Sequence, residues 1–260
     1  MNIQINGAEL FYEIQGTGER TLLMLHGWGC DHSVFQFAAQ VFASNMQVVS
    51  LDFPGHGSSG EPPSPWSVSD YAEQVYQLLQ KLHISNCDVI AHSFGGRVAL
   101  MLGANHPGVI NRLILTGAAG IRRPATPEGK KKSARYQRLK KMVTWLSIIP
   151  GFQKVSEKWL EVLRQKFGSR DYLALSPSMR QTFIKVVNED LTPLLPQIQS
   201  PTILIWGEED EATPLWMGQI MAEKIPDAAL IPFEGCGHFA FLQQPDRFIA
   251  IAKNFLLGGR

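Results

Sequence analysis

Ser93, His238 and the four acids at 208–211 are the residues of this 260-residue chain whose types and surroundings suit chemistry. A serine hydroxyl is a weak nucleophile at neutral pH unless a neutral imidazole takes its proton. The imidazole in turn needs a carboxylate that fixes its tautomer and stabilises its cation. Ser93 stands where the apolar run from Cys87 ends and the helical stretch from Phe94 begins, inside Ala91-His92-Ser93-Phe94-Gly95. This is the pattern G-x-S-x-G with alanine in the first glycine position. Small residues two before and two after the serine leave room for a tight strand-to-helix turn that presents the hydroxyl at the carboxyl edge of a sheet. The start of the helix would aim backbone N–H groups at negative charge developing there. The same serine also suits an ordinary N-cap on a closely packed helix. The acids lie in Gly207-Glu-Glu-Asp-Glu-Ala-Thr-Pro214 and the histidine ends Glu234-Gly-Cys-Gly-His238, each directly after an apolar run. Alone, the acids would cap the helix that Pro214 opens and the histidine would close a turn. Together with Ser93 they fall at the ends of strands of one sheet, and so on one edge of it.

The elements that must position these groups are legible from periodicity. Ile3 and Ile5, then Leu10, Tyr12 and Ile14, alternate about Asn6-Gly7, which predicts an antiparallel hairpin. Thr21–Leu25 is uniformly apolar, as a strand buried on both faces requires, and runs into the glycine-rich loop His26-Gly27-Trp28-Gly29. An N–H near Trp28 would face the same point as Ser93 if both loops lie at the carboxyl edge. A helix at 33–44, a strand at 47–51 and the loop Asp52-Phe-Pro-Gly-His-Gly-Ser-Ser-Gly60 follow; the loop lacks the Gly-Lys-Ser/Thr ending of a phosphate site. Ser67 or Ser69 caps a helix with apolar residues at Tyr71, Val75, Leu78, Leu79 and Leu82, and Val109–Leu115 is a further strand. Between 121 and 190 no strand-like run occurs, and stretches at 136–146, 157–167 and 179–187 have helical character. The α/β rhythm then resumes with a strand at 201–206, a helix at 215–225, a strand at 229–233 and a last helix after Pro245. The predicted architecture is α/β: a mostly parallel eight-stranded sheet with helices on both faces, formed by residues 1–120 and 191–260, with residues 121–190 inserted as a helical lid.

Composition narrows the function classes. With 24 basic and 23 acidic residues there is no global electrostatic case for nucleic acid or membranes. Cys30, Cys87 and Cys236 are too few for a disulfide framework, and no metal-ligand spacing occurs, so neither a metal nor a cofactor is expected. The N-terminus has no signal-peptide pattern and no apolar run reaches the ~20 residues of a membrane span, which points to a cytoplasmic protein. One charge feature is local: nine basic residues between Arg122 and Lys141 accompany a single acid, Glu128. Such a run is a solvated face or a surface for an acidic partner, for example an acyl carrier protein or a coenzyme A thioester.

The motifs His26-Gly-Trp-Gly29, Asp52-Phe-Pro-Gly-His-Gly-Ser58, Ala91-His-Ser-Phe-Gly-Gly96, Gly207-Glu-Glu-Asp210 and Gly237-His238, in that order, resemble the α/β-hydrolases over nearly the full length except the lid. The resemblance implies Ser93 as nucleophile, His238 as general base and the backbone N–H groups of Trp28 and Phe94 as oxyanion hole. It selects Asp210 among the four acids, because the family's acid lies three residues after the glycine. The fold does not fix the reaction, since the same triad serves esters, thioesters, amides, lactones and carbon–carbon bonds; hydrolysis of carboxylic esters through an acyl-enzyme is the expected one. Carbon–carbon bond hydrolases, and a menaquinone-pathway lyase suggested by Gly95-Gly96-Arg97, are the alternatives on the same fold. A non-catalytic binding module is disfavoured because the triad is intact. His26, Arg122, Arg123, Trp145 and Trp159 are candidate substrate contacts; with Leu146, Ile148, Ile149 and Phe152, the two tryptophans suit an apolar acyl or alcohol group or simply form the lid core.

Overall fold

The computed structural model describes residues 1–124, 127–146, 158–162, 172–173 and 175–258. Its apolar runs pair into one sheet of eight strands: β1 (Asn2–Ile5), β2 (Ala8–Gln15), β3 (Thr21–Leu25), β4 (Gln47–Asp52), β5 (Cys87–His92), β6 (Ile110–Thr116), β7 (Thr202–Gly207) and β8 (Ala228–Phe233). Their order is β1-β2-β4-β3-β5-β6-β7-β8. β1 and β2 form the antiparallel hairpin, which turns at Asn6 and Gly7, both at positive φ as a primed two-residue turn requires. β2 also runs antiparallel to β4, and every pairing from β4 to β8 is parallel.

Every residue of β3 and β5 is buried, so neither strand has a polar face to give to water and both sides need cover. Helix α1 (Gln36–Phe42) and the C-terminal α7 (Ala240–Gln243) and α8 (Pro245–Leu257) supply one apolar layer, centred on Phe35, Phe42, Phe241 and Phe248. Helices α2 (Val68–Lys81), α3 (Phe94–Asn105) and α6 (Leu215–Lys224) build the other, with Tyr71, Val75, Leu78, Val98, Leu102 and Met221. Each such aliphatic side chain taken fully from water contributes about 1.5–3 kcal/mol. Of the two candidate caps for α2, Ser67 is the one used: it accepts from the Asp70 N–H while the Asp70 carboxylate accepts from the Ser67 N–H.

The strand order places the site. From β3 the chain moves one way to β4, then crosses back through α2 to β5 on the other side of β3. The carboxyl ends of β3 and β5 therefore flank a topological switch point, where the loops on either side diverge and leave a crevice.

The chain divides into two compact units, residues 1–122 with 184–260 and residues 123–183. Residues 184–190, read from the sequence as part of the insertion, belong to the α/β unit. The Glu189 carboxylate accepts from the Val68 N–H at 3.2 Å and its carbonyl accepts from the buried Arg97 guanidinium at 2.7 Å. The Leu191 N–H then donates to the Gly120 carbonyl at 2.8 Å. The helical unit contains α4 (Pro127–Leu146) and most of α5 (Pro177–Asn188), and its described residues include no strand. Helix α4 begins nine residues before the apolar periodicity does, at a proline followed by an acid, both favourable in a first turn. Of the stretch 157–167, residues 158–162 are described and are helical; Ile148, Ile149, Phe152 and the Leu146 side chain lie outside the described residues. No helix among the described residues is long and apolar enough to cross a membrane.

Candidate active site

Ser93 links the last residue of β5 to the first of α3 and adopts φ 50° and ψ −108°. A left-handed conformation in a non-glycine residue costs roughly 1–3 kcal/mol and persists only where the surroundings enforce it. The enforcement is a set of backbone hydrogen bonds: Ser93 N–H to the Thr116 carbonyl at 3.1 Å, and its own carbonyl accepting from Gly96 at 3.1 Å and Ala119 at 3.0 Å. Gly95 is needed because a Cβ there would run into the Leu25 carbonyl oxygen. The Ser93 side chain makes no capping hydrogen bond, which removes the N-cap reading and leaves the hydroxyl without a hydrogen-bond partner among the described residues.

The loop after β3 comes up against this turn. A Cβ on Gly27 would stand 2.9 Å from His92 Cδ2 and 3.3 Å from Ser93 Cβ, so only a glycine lets the two loops approach this closely. Trp28 follows, its ring 5.2 Å from that of Phe94. Phe94 opens α3, and its N–H has no acceptor among the described residues.

Asp210 and His238 meet at the ends of β7 and β8. Asp210 Oδ2 lies 2.8 Å from His238 Nδ1, with the Asp210 side chain wholly buried and that of His238 19% exposed. Burial opposes the charge on Asp210, but hydrogen bonds from His238 and from the Thr213 N–H and hydroxyl hold its carboxyl below the usual carboxylate range. An ionised carboxylate only accepts, so Nδ1 carries a proton, and the neutral form of the ring is the tautomer with its lone pair on Nε2. The His238 ring packs 4.6 Å from that of His92, the residue immediately before Ser93, which brings the three parts of the site to one edge of the sheet.

Thr213 is the residue that sequence reasoning missed. Its N–H donates to Asp210 Oδ1 at 2.8 Å, and its hydroxyl lies 2.8 Å from Asp210 Oδ2, 2.9 Å from the Gly117 carbonyl and 3.3 Å from His238 Nδ1. The fully buried Trp206 indole donates to the Thr213 carbonyl at 2.6 Å, tying the acid loop to β7. The available signal was the position of a hydroxyl three residues after the acid, just before a helix-opening proline.

His26 is not a substrate contact. It is fully buried, with Nδ1 2.7 Å from the Gly27 carbonyl and Nε2 accepting from the Phe53 N–H at 2.9 Å, and so fastens the loop after β3 to the end of β4. Burial lowers its pKa to about 4, and burial with the neighbouring His238 lowers that of His92 to about 3; burial also lowers that of His56. Arg122 is engaged with Asp190, where burial is outweighed by hydrogen bonds from Thr192 and Arg122 and by the Arg122 charge. Arg123, Trp145 and Trp159 belong to the helical unit, where both indoles stand exposed. One group, Asp31, His32 and Asp52, brings ligand-type atoms within 4.8 Å of one another, but Asp52 is already bound by the His32 N–H, His32 Nδ1 and the Ser58 N–H at 2.7–2.8 Å. The knot shapes the loop after β4.

Residues 22–251 match the Alpha/beta hydrolase family. A 2-hydroxymuconate semialdehyde hydrolase of Pseudomonas putida is 28% identical over 98% of this chain and 97% of its own. Among solved structures, the enol-lactonase of Burkholderia xenovorans superposes with a TM-score of 0.75 at 21% identity, over 99% of this chain and 100% of that one. A thermophilic esterase of Thermogutta terrifontis does so with a TM-score of 0.74 at 21% identity, over 99% and 98%.

Proposed function

The chain belongs to the α/β-hydrolase family, and from that premise we propose that it hydrolyses carboxylic esters through an acyl-enzyme on Ser93. The observation that carries this reading is the backbone of Ser93: strain is maintained there, yet the hydroxyl makes no hydrogen bond among the described residues. In the proposed cycle His238 Nε2 takes the hydroxyl proton as Ser93 Oγ attacks the ester carbonyl, while Asp210 holds the ring by its Nδ1–H and stabilises the imidazolium. The tetrahedral oxyanion is met by the N–H groups of Trp28 and Phe94. His238 then protonates the departing alcohol and activates the water that releases the acid and regenerates Ser93. Three free cysteines suit a reducing, cytoplasmic compartment.

Carbon–carbon cleavage is a second reading, favoured by the relative from Pseudomonas putida. Electrostatics weigh toward a neutral ester over an acidic substrate. Arg97, the cation nearest Ser93 in sequence, is buried, and it donates to the Glu189 carbonyl. The test is a panel of p-nitrophenyl esters of increasing acyl length run beside a 2-hydroxy-6-oxo-dienoate. Ester turnover that Ser93→Ala lowers by roughly 10³ to 10⁶ is expected. A dienoate rate far above that on any ester would replace ester hydrolysis with carbon–carbon cleavage, and ester turnover surviving in Ser93→Ala would end the assignment of the nucleophile.

A further inference from the structure

The near-zero net charge of the chain conceals a strong separation. Residues 123–183 hold 14 of the 24 Lys and Arg but only 4 of the 23 Asp and Glu, so the rest of the chain has 10 basic and 19 acidic residues. Within the helical unit the basic residues concentrate on α4. Lys131, Arg135, Arg138, Met142 and Trp145 follow one another at spacings of four, three, four and three, which puts them on one face of the helix, and all five are exposed. This face is cationic over its first two turns and apolar over its last. Beside its apolar end lies a groove of about 310 Å³ lined by Leu139, Met142, Val143, Trp159 and Val162. Met142 is 52% exposed, Trp145 65%, Trp159 56% and Val162 57%.

A solvated face accounts for the lysines and arginines, but not for two indoles and a methionine held in water next to them. An acidic carrier protein would complement the charge and leave the apolar groove unused. We propose that this face of α4, with Trp159 and Val162, docks on an anionic phospholipid surface. Such a surface supplies both halves of the complement. Headgroup phosphates meet Lys131, Arg135 and Arg138, whose long stems let the charge stay at headgroup level, while the indoles and Met142 enter the interfacial layer. The acidic remainder of the chain is repelled by the same surface, so the charge separation favours contact through the helical unit.

The experiment is flotation of the full chain with phosphatidylcholine vesicles, without or with about 30% phosphatidylglycerol, at about 50 and 500 mM salt. Binding only to the anionic vesicles, weakened at high salt and accompanied by a blue shift of tryptophan emission that Trp145→Phe and Trp159→Phe each reduce, is expected. Lys131→Glu, Arg135→Glu and Arg138→Glu together should weaken partitioning by more than about 100-fold, since each positive charge lost counts for roughly fivefold. The corresponding triple Gln variant, closer to native in helix propensity, should weaken it less but in the same direction. Circular dichroism reports whether each variant is folded. No binding to anionic vesicles at low salt, equal binding to neutral vesicles, or binding indifferent to both sets of substitutions overturns the proposal. So does saturable binding of an acidic acyl carrier protein where vesicles fail, which would assign the face to that partner instead. Ser93→Ala should float like the native protein, so this proposal and the catalytic one are tested independently.

Discussion

The α/β unit and the helical unit of this chain hold different kinds of order. In the first, the side chains of the candidate site are fixed by backbone: Ser93 by three main-chain hydrogen bonds, the loop after β3 by the contact of Gly27 with His92 and Ser93, Asp210 by the N–H of Thr213. In the second, what stands out is surface: α4 carries seven basic residues and one acid, and its exposed face grades from charge to indole. The difference teaches where substitutions will act. Single atoms matter in the α/β unit, whereas sums of charges matter in the helical one.

The largest expected effect is on the first side of this contrast. Ser93→Ala should lower kcat on any ester substrate by roughly 10³ to 10⁶ while leaving the thermal midpoint nearly unchanged. A comparable loss from one charge reversal on α4 would break the contrast. Next in size is acid sensitivity of the α/β fold. Between the unfolded value near 6.5 and their folded values of about 4 and 3, His26 and His92 stay neutral in the folded state but bind protons once unfolded. Stability is therefore full above about pH 6.5 and falls as pH drops, by at most about 1.4 kcal/mol per pH unit for each imidazole. Urea midpoints at pH 7 and 5 measure this, and His92→Gln should make the fall shallower.

A smaller effect is expected at Thr213. Thr213→Val keeps the N–H to Asp210 but deletes the hydroxyl beside Asp210 and His238, and should lower kcat about 10- to 100-fold with KM held, by the scale of lost positioning. Thr213→Ser should restore it; equal loss in both variants would reduce Thr213 to a packing residue. Ser93→Gly offers a sharper probe still, since it removes the hydroxyl and also the strain. It should be inactive yet more stable by about 1 kcal/mol, a gain that Ser93→Ala does not share. The smallest effect is on the other side: the triple reversal at Lys131, Arg135 and Arg138 should change hydrolysis of a small neutral ester by less than about twofold, because a neutral substrate carries no charge for them to attract and exposed charges are screened over roughly 10 Å.

The same contrast explains what could be read from the sequence. Strand and turn signals are local, so β3, β5, the Ser93 turn and the acid and histidine loops could all be assigned from runs of apolar residues and the glycines that end them. Thr213 offered only its spacing from the acid, because its role depends on the acid loop folding back under Trp206, a contact between β7 and the loop that follows it. His26 was misassigned because an imidazole beside a glycine-rich loop looks the same whether it faces a ligand or, as here, the N–H of Phe53. The four residues of α7 are too few to show a period. The start of α4 was missed for the opposite reason: residues 128–135 contain no large apolar side chain, so a helix is present there without the periodicity that reveals one.

The hydrogen bond from Leu191 to Gly120 has a consequence for how such a chain can diversify. It brings together the points at which the polypeptide departs from the sheet and comes back to it. Whatever lies between them closes a loop whose ends are already joined, and the entropic penalty of lengthening or replacing a loop grows only with the logarithm of its length. The intervening stretch is thus an exchangeable cassette: it can be shortened, recoloured in charge or grafted from elsewhere at little cost to the scaffold.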